Sequence, residues 1–208
     1  MWLTHLFLAI GWIAYCCLHS ILVTNRVKSG LKSLLSGSSK YYRLAYSIFS
    51  LLGLLVLIAW QFATPSIILW ETNLWSLIPG LIISICGLAF MVICLQKYFN
   101  SHEGLKELVR ENKHPVLLRI GLHRFVRHPL YLSTFVFLWG LLLVFPFLSL
   151  LITNCIITTY TLIAVRFEER KLMDTFGEAY TQYSRDVPRI IPRIRRKKVG
   201  SGRQSTVS

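Results

Sequence analysis

The sequence predicts an all-α integral membrane protein with about five transmembrane helices, and three observations support this prediction. Residues of the AVILMFWYC set make up 54% of the 208 residues, and the mean hydropathy is +0.54. Only 15% of the residues are charged, against about 25% in an ordinary soluble domain. The 23 lysines and arginines lie only in three segments between or after apolar stretches. This composition argues against a soluble enzyme and excludes a disordered chain or a disulfide scaffold.

Each apolar stretch is close to the ~20 residues that a helix needs to cross a ~30 Å hydrocarbon core. The first three stretches are residues 2–23, 44–63 and 74–95. Because the first has no basic region before it and no small-residue cleavage site after it, we predict a membrane span there rather than a signal peptide. The charge-free block 130–165 is too long for one crossing. Pro146 interrupts it, so we predict a tight hairpin of helices 130–145 and 147–165.

The basic residues predict the orientation. They lie between the first and second spans, between the third and fourth, and after the fifth, whereas the other side keeps only the loop 64–73 and the Pro146 turn. The positive-inside rule then places the N-terminus outside and the C-terminus in the cytoplasm. These charges suit anionic lipid headgroups, so we expect membrane lipids as partners and no nucleic acid. The predicted domains are three helices in 1–95, a core in 96–192 and a basic disordered tail in 193–208.

Polar and aromatic side chains concentrate at the cytoplasmic ends of the last three spans. One set enters the fourth span and another leaves the fifth, so the hairpin brings both sets to one membrane face. Such residues are often only membrane anchors, but two adjacent acids that face an Arg-His pair favour a functional site. The residues concerned are Gln96, Arg127, His128, Pro129, Tyr131, Arg166, Glu168 and Glu169.

Other kinds of site lack support in the sequence. The phosphate-binding patterns G-x-G-x-x-G and G-x-x-x-x-G-K are absent, and the five cysteines contain no C-x-x-C pair. A haem held by two helices needs histidines in different spans, but only His5 and His19 lie in a span, and both are in the first. We therefore expect no metal, since the histidines lack ligand spacing.

An ordered set of motifs in residues 121–192 resembles the isoprenylcysteine carboxyl methyltransferase superfamily. The motifs are R-H-P-L-Y-L at 127–132, a hydrophobic hairpin, R-F-E-E-R-K-L at 166–172, F-G-E-A-Y-T-Q-Y at 176–183 and V-P-R-I-I-P at 187–192. This superfamily also contains phospholipid N-methyltransferases, bacterial thiol S-methyltransferases and NnrU-like membrane proteins. Residues 18–20 and 40–46 look more like the thiol-methylating and NnrU-like branches. Ser133 departs from the pattern, since the family commonly has glycine there.

The resemblance implies a membrane methyltransferase that holds S-adenosylmethionine in its C-terminal half, with a cytoplasmic active site. An arginine, Arg127 or Arg124, suits the cofactor's carboxylate. Glu168 or Glu169 can accept hydrogen bonds from its ammonium or ribose hydroxyls, and Tyr131 can lie against its sulfonium. The implied cofactor-binding residues are Gln96, Arg127, His128, Pro129, Tyr131, Glu168 and Glu169.

Methyl transfer from a sulfonium is an in-line displacement, so the enzyme mainly aligns donor and acceptor and excludes water. We predict Arg166 and Glu169 as catalytic because they lie three residues apart on one helix face, with Glu168 nearer the cofactor. His128 suits a hydrogen bond to the cofactor, with a purely structural role as the alternative. An amphipathic helix on the cytoplasmic membrane surface is predicted by the helical spacing of Phe176, Tyr180 and Tyr183.

The leading expectation for the methyl acceptor is a lipophilic carboxylate, such as that of a prenylated cysteine, which enters from the bilayer. Arg166 would attract this anion. A thiol S-methyltransferase or a phospholipid N-methyltransferase of the same superfamily is the alternative. A non-catalytic NnrU-like membrane protein is the alternative from another functional class.

Overall fold

The structure is a computed structural model that describes residues 2–24, 39–100 and 119–192, together with positions 27, 30 and 117. These residues form helices and their connections, with one isolated β-bridge between Ile68 and Phe147. The predicted all-α class is therefore confirmed. In chain order the elements are α1 (Trp2–Val23), α2 (Ser39–Ala63), α3 (Leu74–Asn100), a short 3-10 helix (Gly121–Arg124), α4 (Pro129–Val144), α5 (Leu148–Phe176) and α6 (Glu178–Asp186).

Four of these helices, α1, α2, α3 and α5, are long and apolar enough to cross a membrane. The apolar helix α4 has 16 residues and is about 24 Å long, shorter than a full crossing. Large apolar side chains cover the outside of the bundle. Trp2, Phe62 and Trp75 are 74%, 80% and 90% exposed. Because such a surface is stable in lipid rather than in water, the chain is an integral membrane protein.

The helical hairpin turns at Pro146, as predicted. Its turn is held by the loop that follows α2, since Leu69 N donates to Pro146 O at 2.7 Å and Leu148 N donates to Ile67 O at 2.9 Å. Past Val165, where its predicted span ends, α5 continues as a helix to Phe176. It stops where Gly177 adopts a φ of 54°, a conformation that favours glycine.

Contacts between α1 and α2 show that these helices are antiparallel. Gly11 of α1 lies against Trp60 of α2, whereas His19, two turns further along α1, contacts Tyr46 near the start of α2. The buried apolar core next to this pair is formed by Leu8, Trp12 and Leu57, with Ile156 and Ile157 of α5 packed against it.

At the end of the bundle that carries the Pro146 turn, Ser66 joins three elements. Its hydroxyl lies 3.1 Å from His5 Nε2 of α1 and accepts a hydrogen bond from Ser149 N of α5 at 2.9 Å. The segments 119–128 and 166–192 lie at the opposite end. The predicted tail 193–208 lies outside the described residues, as do most of the basic residues between α1 and α2 and between α3 and α4. The domain division stays a prediction.

Helices α3 and α4 are antiparallel and pack with their backbones in close contact. Gly80 of α3 lies against Leu143 of α4, and Gly87 lies against Phe137. A Cβ atom added at Gly87 would lie 2.4 Å from Phe137 N and 2.8 Å from its Cα. Since the obstacle is backbone, a larger residue at position 87 would force the two helices apart.

We expect Gly87→Ala to lower the free energy of unfolding by about 1–3 kcal/mol, because the added methyl group overpacks a backbone contact. Thermal unfolding of the purified protein in detergent measures the effect. Gly53→Ala in α2 is the matched control, because its Cβ would meet only the Tyr15 ring, at 3.1 Å. Equal melting temperatures for wild type and Gly87→Ala would contradict the close packing of α3 on α4.

Candidate active site

Glu169 of α5 lies at the centre of a buried ion cluster and is only 3% exposed. Its Oε1 accepts from Arg127 Nη2 at 2.8 Å, and its Oε2 accepts from Arg189 Nε at 2.8 Å and Nη2 at 2.6 Å. His128 Nε2 donates to Oε1 at 3.3 Å, since a carboxylate can only accept. One carboxylate therefore faces two guanidinium groups, so the cluster carries a surplus of positive charge.

Arg189 reaches this cluster because the chain after α6 returns along the segment before α4. Arg127 N donates to Pro188 O at 2.9 Å, and His128 N donates to Arg189 O at 3.1 Å. Sequence reasoning missed Arg189 as a site residue. The only signal that could have found it was its place in the V-P-R-I-I-P motif, 20 residues after Glu169.

His128, Tyr131 and Glu168 form a second group beside the cluster. The His128 and Tyr131 rings stack with centroids 5.5 Å apart, and Tyr131 OH donates to Glu168 Oε2 at 3.0 Å. Burial lowers the pKa of His128 against the opposing effect of the two carboxylates, so its imidazole is neutral at pH 7. The side chain of Glu168 is 45% exposed, which leaves its carboxylate able to accept hydrogen bonds from a ligand.

Aromatic rings of α6 pack against the arginines of the site. The Arg127 guanidinium lies 5.9 Å from the centroid of the Tyr180 ring, and the Arg119 guanidinium lies 5.6 Å from that of Tyr183. Tyr183 OH also donates to His123 O at 2.7 Å. Burial raises the pKa of both phenols, so they stay neutral. The Nε atom of Arg127 is buried and has no hydrogen-bond partner among the described residues.

The structure brings together six of the eight predicted site residues and leaves two apart. Arg166 and Gln96 are exposed, and Glu169 is bonded to the cluster described above rather than to Arg166. The spacing of three residues placed Arg166 near the Glu169 face of α5 but did not bring it inside the bundle. The six that lie together are Arg127, His128, Pro129, Tyr131, Glu168 and Glu169.

A cavity of about 670 Å³ opens beside the cluster, and its charged lining residues are Arg127, Arg185 and Arg189. Leu162, Ile190 and Ile191 form part of its apolar wall. The volume lies within the ~300–1,000 Å³ typical of small-molecule sites. The cavity can therefore hold a ligand that has both an anionic group and an apolar part.

Comparison with known proteins identifies the family. A family model described as NnrU protein matches residues 7–196. The chain belongs to the NnrU family. This membership and the relatives below confirm the predicted resemblance to the isoprenylcysteine carboxyl methyltransferase superfamily.

The relatives of this NnrU-family chain include proteins named as methyltransferases. It is 29% identical over 206 residues to a methanethiol S-methyltransferase of Crocosphaera subtropica, covering 93% of this chain and 77% of the relative. It is 29% identical over 183 residues to methanethiol S-methyltransferase 1 of Bradyrhizobium diazoefficiens, covering 84% of this chain and 62% of the relative. The protein-S-isoprenylcysteine O-methyltransferase of Schizosaccharomyces pombe is 30% identical over 111 residues, covering 49% of this chain and 47% of that enzyme.

These names confirm the enzyme class that the sequence predicted, a membrane methyltransferase. No solved structure matches the chain. The ion cluster lies within the part of the chain that the NnrU family model covers.

We expect Glu169→Gln to lower the free energy of unfolding by about 3–5 kcal/mol, because it leaves buried Arg127 and its neighbour Arg189 without their shared carboxylate. Thermal unfolding in detergent tests this expectation. Glu168→Gln is the matched control, since this neighbouring carboxylate is partly exposed and should change stability by less than about 1 kcal/mol. Equal losses in the two variants would show that the cluster around Glu169 does not hold the structure together.

Proposed function

We propose that this NnrU-family protein is an S-adenosylmethionine-dependent methyltransferase whose acceptor is a small alkyl thiol. One observation carries the proposal: the cluster of Arg127, His128, Glu169 and Arg189 adjoins an amphipathic cavity that its two arginines line. The relatives that are 29–30% identical to this chain are named as methyltransferases.

The residues present fit S-adenosylmethionine. The surplus positive charge of the cluster and the unpartnered Nε of Arg127 suit the cofactor's carboxylate. The partly exposed carboxylate of Glu168 suits its ammonium or ribose hydroxyls, and the Tyr131 ring suits its sulfonium. When bound, the cofactor supplies an electrophilic methyl group. Arg127, Tyr131 and Glu168 would hold it.

Glu169 acts in this mechanism as a positioning residue. Both carboxylate oxygens of Glu169 already accept hydrogen bonds from side chains of the protein. Its role is therefore to hold the two arginines and the His128 ring in place. Neutral His128 donates its Nε2–H to the Glu169 carboxylate. This hydrogen bond fixes the orientation of the imidazole ring, which stacks on Tyr131. The buried charges are thereby preorganised, and no ordering of these side chains has to accompany ligand binding.

Two observations favour a thiol over a carboxylate as the acceptor. Arg166, the cation expected to attract a carboxylate, is exposed and outside the cluster. The relatives that align with 93% and 84% of this chain are methanethiol S-methyltransferases. The prenylcysteine carboxylate is the second candidate, supported by the Schizosaccharomyces pombe relative, which aligns with 49% of the chain.

We propose five crossings for the membrane topology, with the N-terminus outside and the active site in the cytoplasm. Successive antiparallel helices support this arrangement, and so does the pairing of the loop after α2 with the Pro146 turn at one end. The large exposed aromatic side chains Trp2, Phe62 and Trp75 lie at that same end, where a membrane interface would hold them. The ion cluster lies at the other end. In this topology α4 crosses the membrane although it is shorter than a full span, because it packs against α3.

Reporter fusions test the topology. A fusion after Phe145 should report the outside, and a fusion after Arg195 should report the cytoplasm. A fusion after Trp70 is the control, because this residue lies in the loop paired with the Pro146 turn and should agree with Phe145. The same side for Phe145 and Arg195 would contradict five crossings.

Purified protein should bind S-adenosylmethionine and transfer its radiolabelled methyl group to ethanethiol. Glu168→Gln should weaken cofactor binding about tenfold to hundredfold, since a hydrogen bond to a charged group contributes about 1.5–3 kcal/mol. Equilibrium binding in detergent and the yield of ethyl methyl sulfide measure the two effects.

Acetyl-farnesylcysteine is the competing acceptor in the same assay. Methylation of farnesylcysteine alone, lost in Arg166→Ala, would replace the thiol by the carboxylate as the acceptor. Cofactor binding without methylation of either acceptor would favour a non-catalytic membrane protein.

A further inference from the structure

A second polar cluster lies inside the bundle, apart from Glu169. The Tyr46 hydroxyl of α2 lies 3.0 Å from Nδ1 and 3.1 Å from Nε2 of His19 on α1, and the two rings are 5.5 Å apart. The Tyr15 ring is also next to His19, with centroids 6.0 Å apart. His19 and Tyr46 come from two sequence motifs, 18–20 and 40–46, to which the ion cluster assigns no role.

This cluster is connected to α5, the helix that carries the ion cluster. The hydroxyls of Ser20 and Tyr160 are 2.9 Å apart. Tyr160 precedes Glu168 by about two helical turns, or about 12 Å along α5. We call Tyr15, His19, Tyr46 and Tyr160 the inner aromatic cluster. It lies deeper in the bundle than the cofactor-binding residues proposed above.

His19 is the candidate proton acceptor among the described residues of this cluster. The described parts of α1–α5 contain two histidines, and the other, His5, is at the opposite end of α1 with its ring near Ser66. In neutral His19 one ring nitrogen carries a proton and the other keeps a lone pair, and the Tyr46 hydroxyl lies within 3.1 Å of both. All four side chains of the cluster are half-buried, so part of each remains exposed outside the packed core.

We propose that the inner aromatic cluster binds the thiol acceptor and that His19 takes its proton. This inference rests on the proposed methyltransferase function. A free thiol has a pKa of about 8.5 and is mostly protonated at pH 7, although the thiolate is the nucleophile. A base beside the sulfur removes that barrier.

In the proposed reaction the thiol loses its proton and its sulfur gains the methyl group. The S–H bond breaks and the proton moves to the ring nitrogen of His19 that carries the lone pair. The thiol sulfur forms a bond to the methyl carbon, while the bond from that carbon to the donor sulfonium breaks and its electron pair stays on the donor sulfur. A thioether and S-adenosylhomocysteine result, and His19 then releases the proton to water.

The groups near His19 and its two neighbouring tyrosines are phenols and a thiol, so the imidazole is the group of this region whose ordinary pKa lies between pH 5 and 8. They are Tyr15 and Cys16 on α1, Tyr42 and Tyr46 on α2, and Tyr160 on α5.

The test uses His19→Gln, which keeps a hydrogen bond to Tyr46 but cannot take a proton, and His5→Gln as the matched control on the same helix. At pH 7 we expect His19→Gln to lose about a hundredfold in kcat/KM for ethanethiol. Its rate should recover as the pH approaches ~8.5, where the thiol ionises by itself. Wild type and His5→Gln should reach their plateau at lower pH. Equilibrium binding of S-adenosylmethionine should stay unchanged in both variants.

A measurement on cofactor-free protein tests whether the inner aromatic cluster binds the thiol. Saturation-transfer NMR of ethanethiol with cofactor-free protein in detergent should lose signal in a Tyr46→Phe, His19→Gln double variant and keep it in His5→Gln. An unchanged signal would overturn the acceptor site, and a wild-type pH profile in His19→Gln would overturn the proton step. No thioether from wild type would overturn the proposed function itself, even where ethanethiol binding depends on the cluster.

Discussion

The pairing of one buried carboxylate with two arginines organises the end of the bundle that holds the candidate active site. Glu169 is 3% exposed and needs cationic partners, and α5 supplies neither of the arginines that contact it. Arg127 comes from the segment before α4, and Arg189 comes from the chain after α6. Arg189 reaches this carboxylate because the chain turns at Gly177 and α6 packs against the site. The backbone of residues 188–189 then pairs with that of residues 127–128.

The position of that cluster depends in turn on how tightly α4 is held. The close approach of Gly87 to the Phe137 backbone fixes α4 against α3. On the other side, Asn154 of α5 is fully buried and donates to Leu138 O at 2.8 Å. Since α4 begins directly after Arg127 and His128, packing in the apolar middle of the bundle sets the geometry of charged groups at its end.

The polar groups of the bundle lie at two depths, and this separation suits a reaction between a charged donor and an apolar acceptor. Arginines and carboxylates gather where the chain leaves the apolar helices, whereas His19 and the tyrosines lie among apolar side chains. Charged groups are costly in a membrane interior, but neutral imidazole and phenol groups are tolerated when they pair with each other. If the proposed thiol acceptor enters from the bilayer, it meets the neutral groups first.

The sequence by itself determined the membrane class, the limits of α1, the hairpin at Pro146, the superfamily and the grouping of six site residues around the base of that hairpin. These follow from local hydropathy, from a proline and from ordered motifs, all of which are read along the chain. Only the tertiary structure decided that Arg189 joins Glu169, that Arg166 stays outside and that His19 meets Tyr46. The physical reason is that such contacts depend on how each helix is rotated about its axis and on where the chain returns. In helices that are apolar on nearly every face, hydropathy carries little information about that rotation.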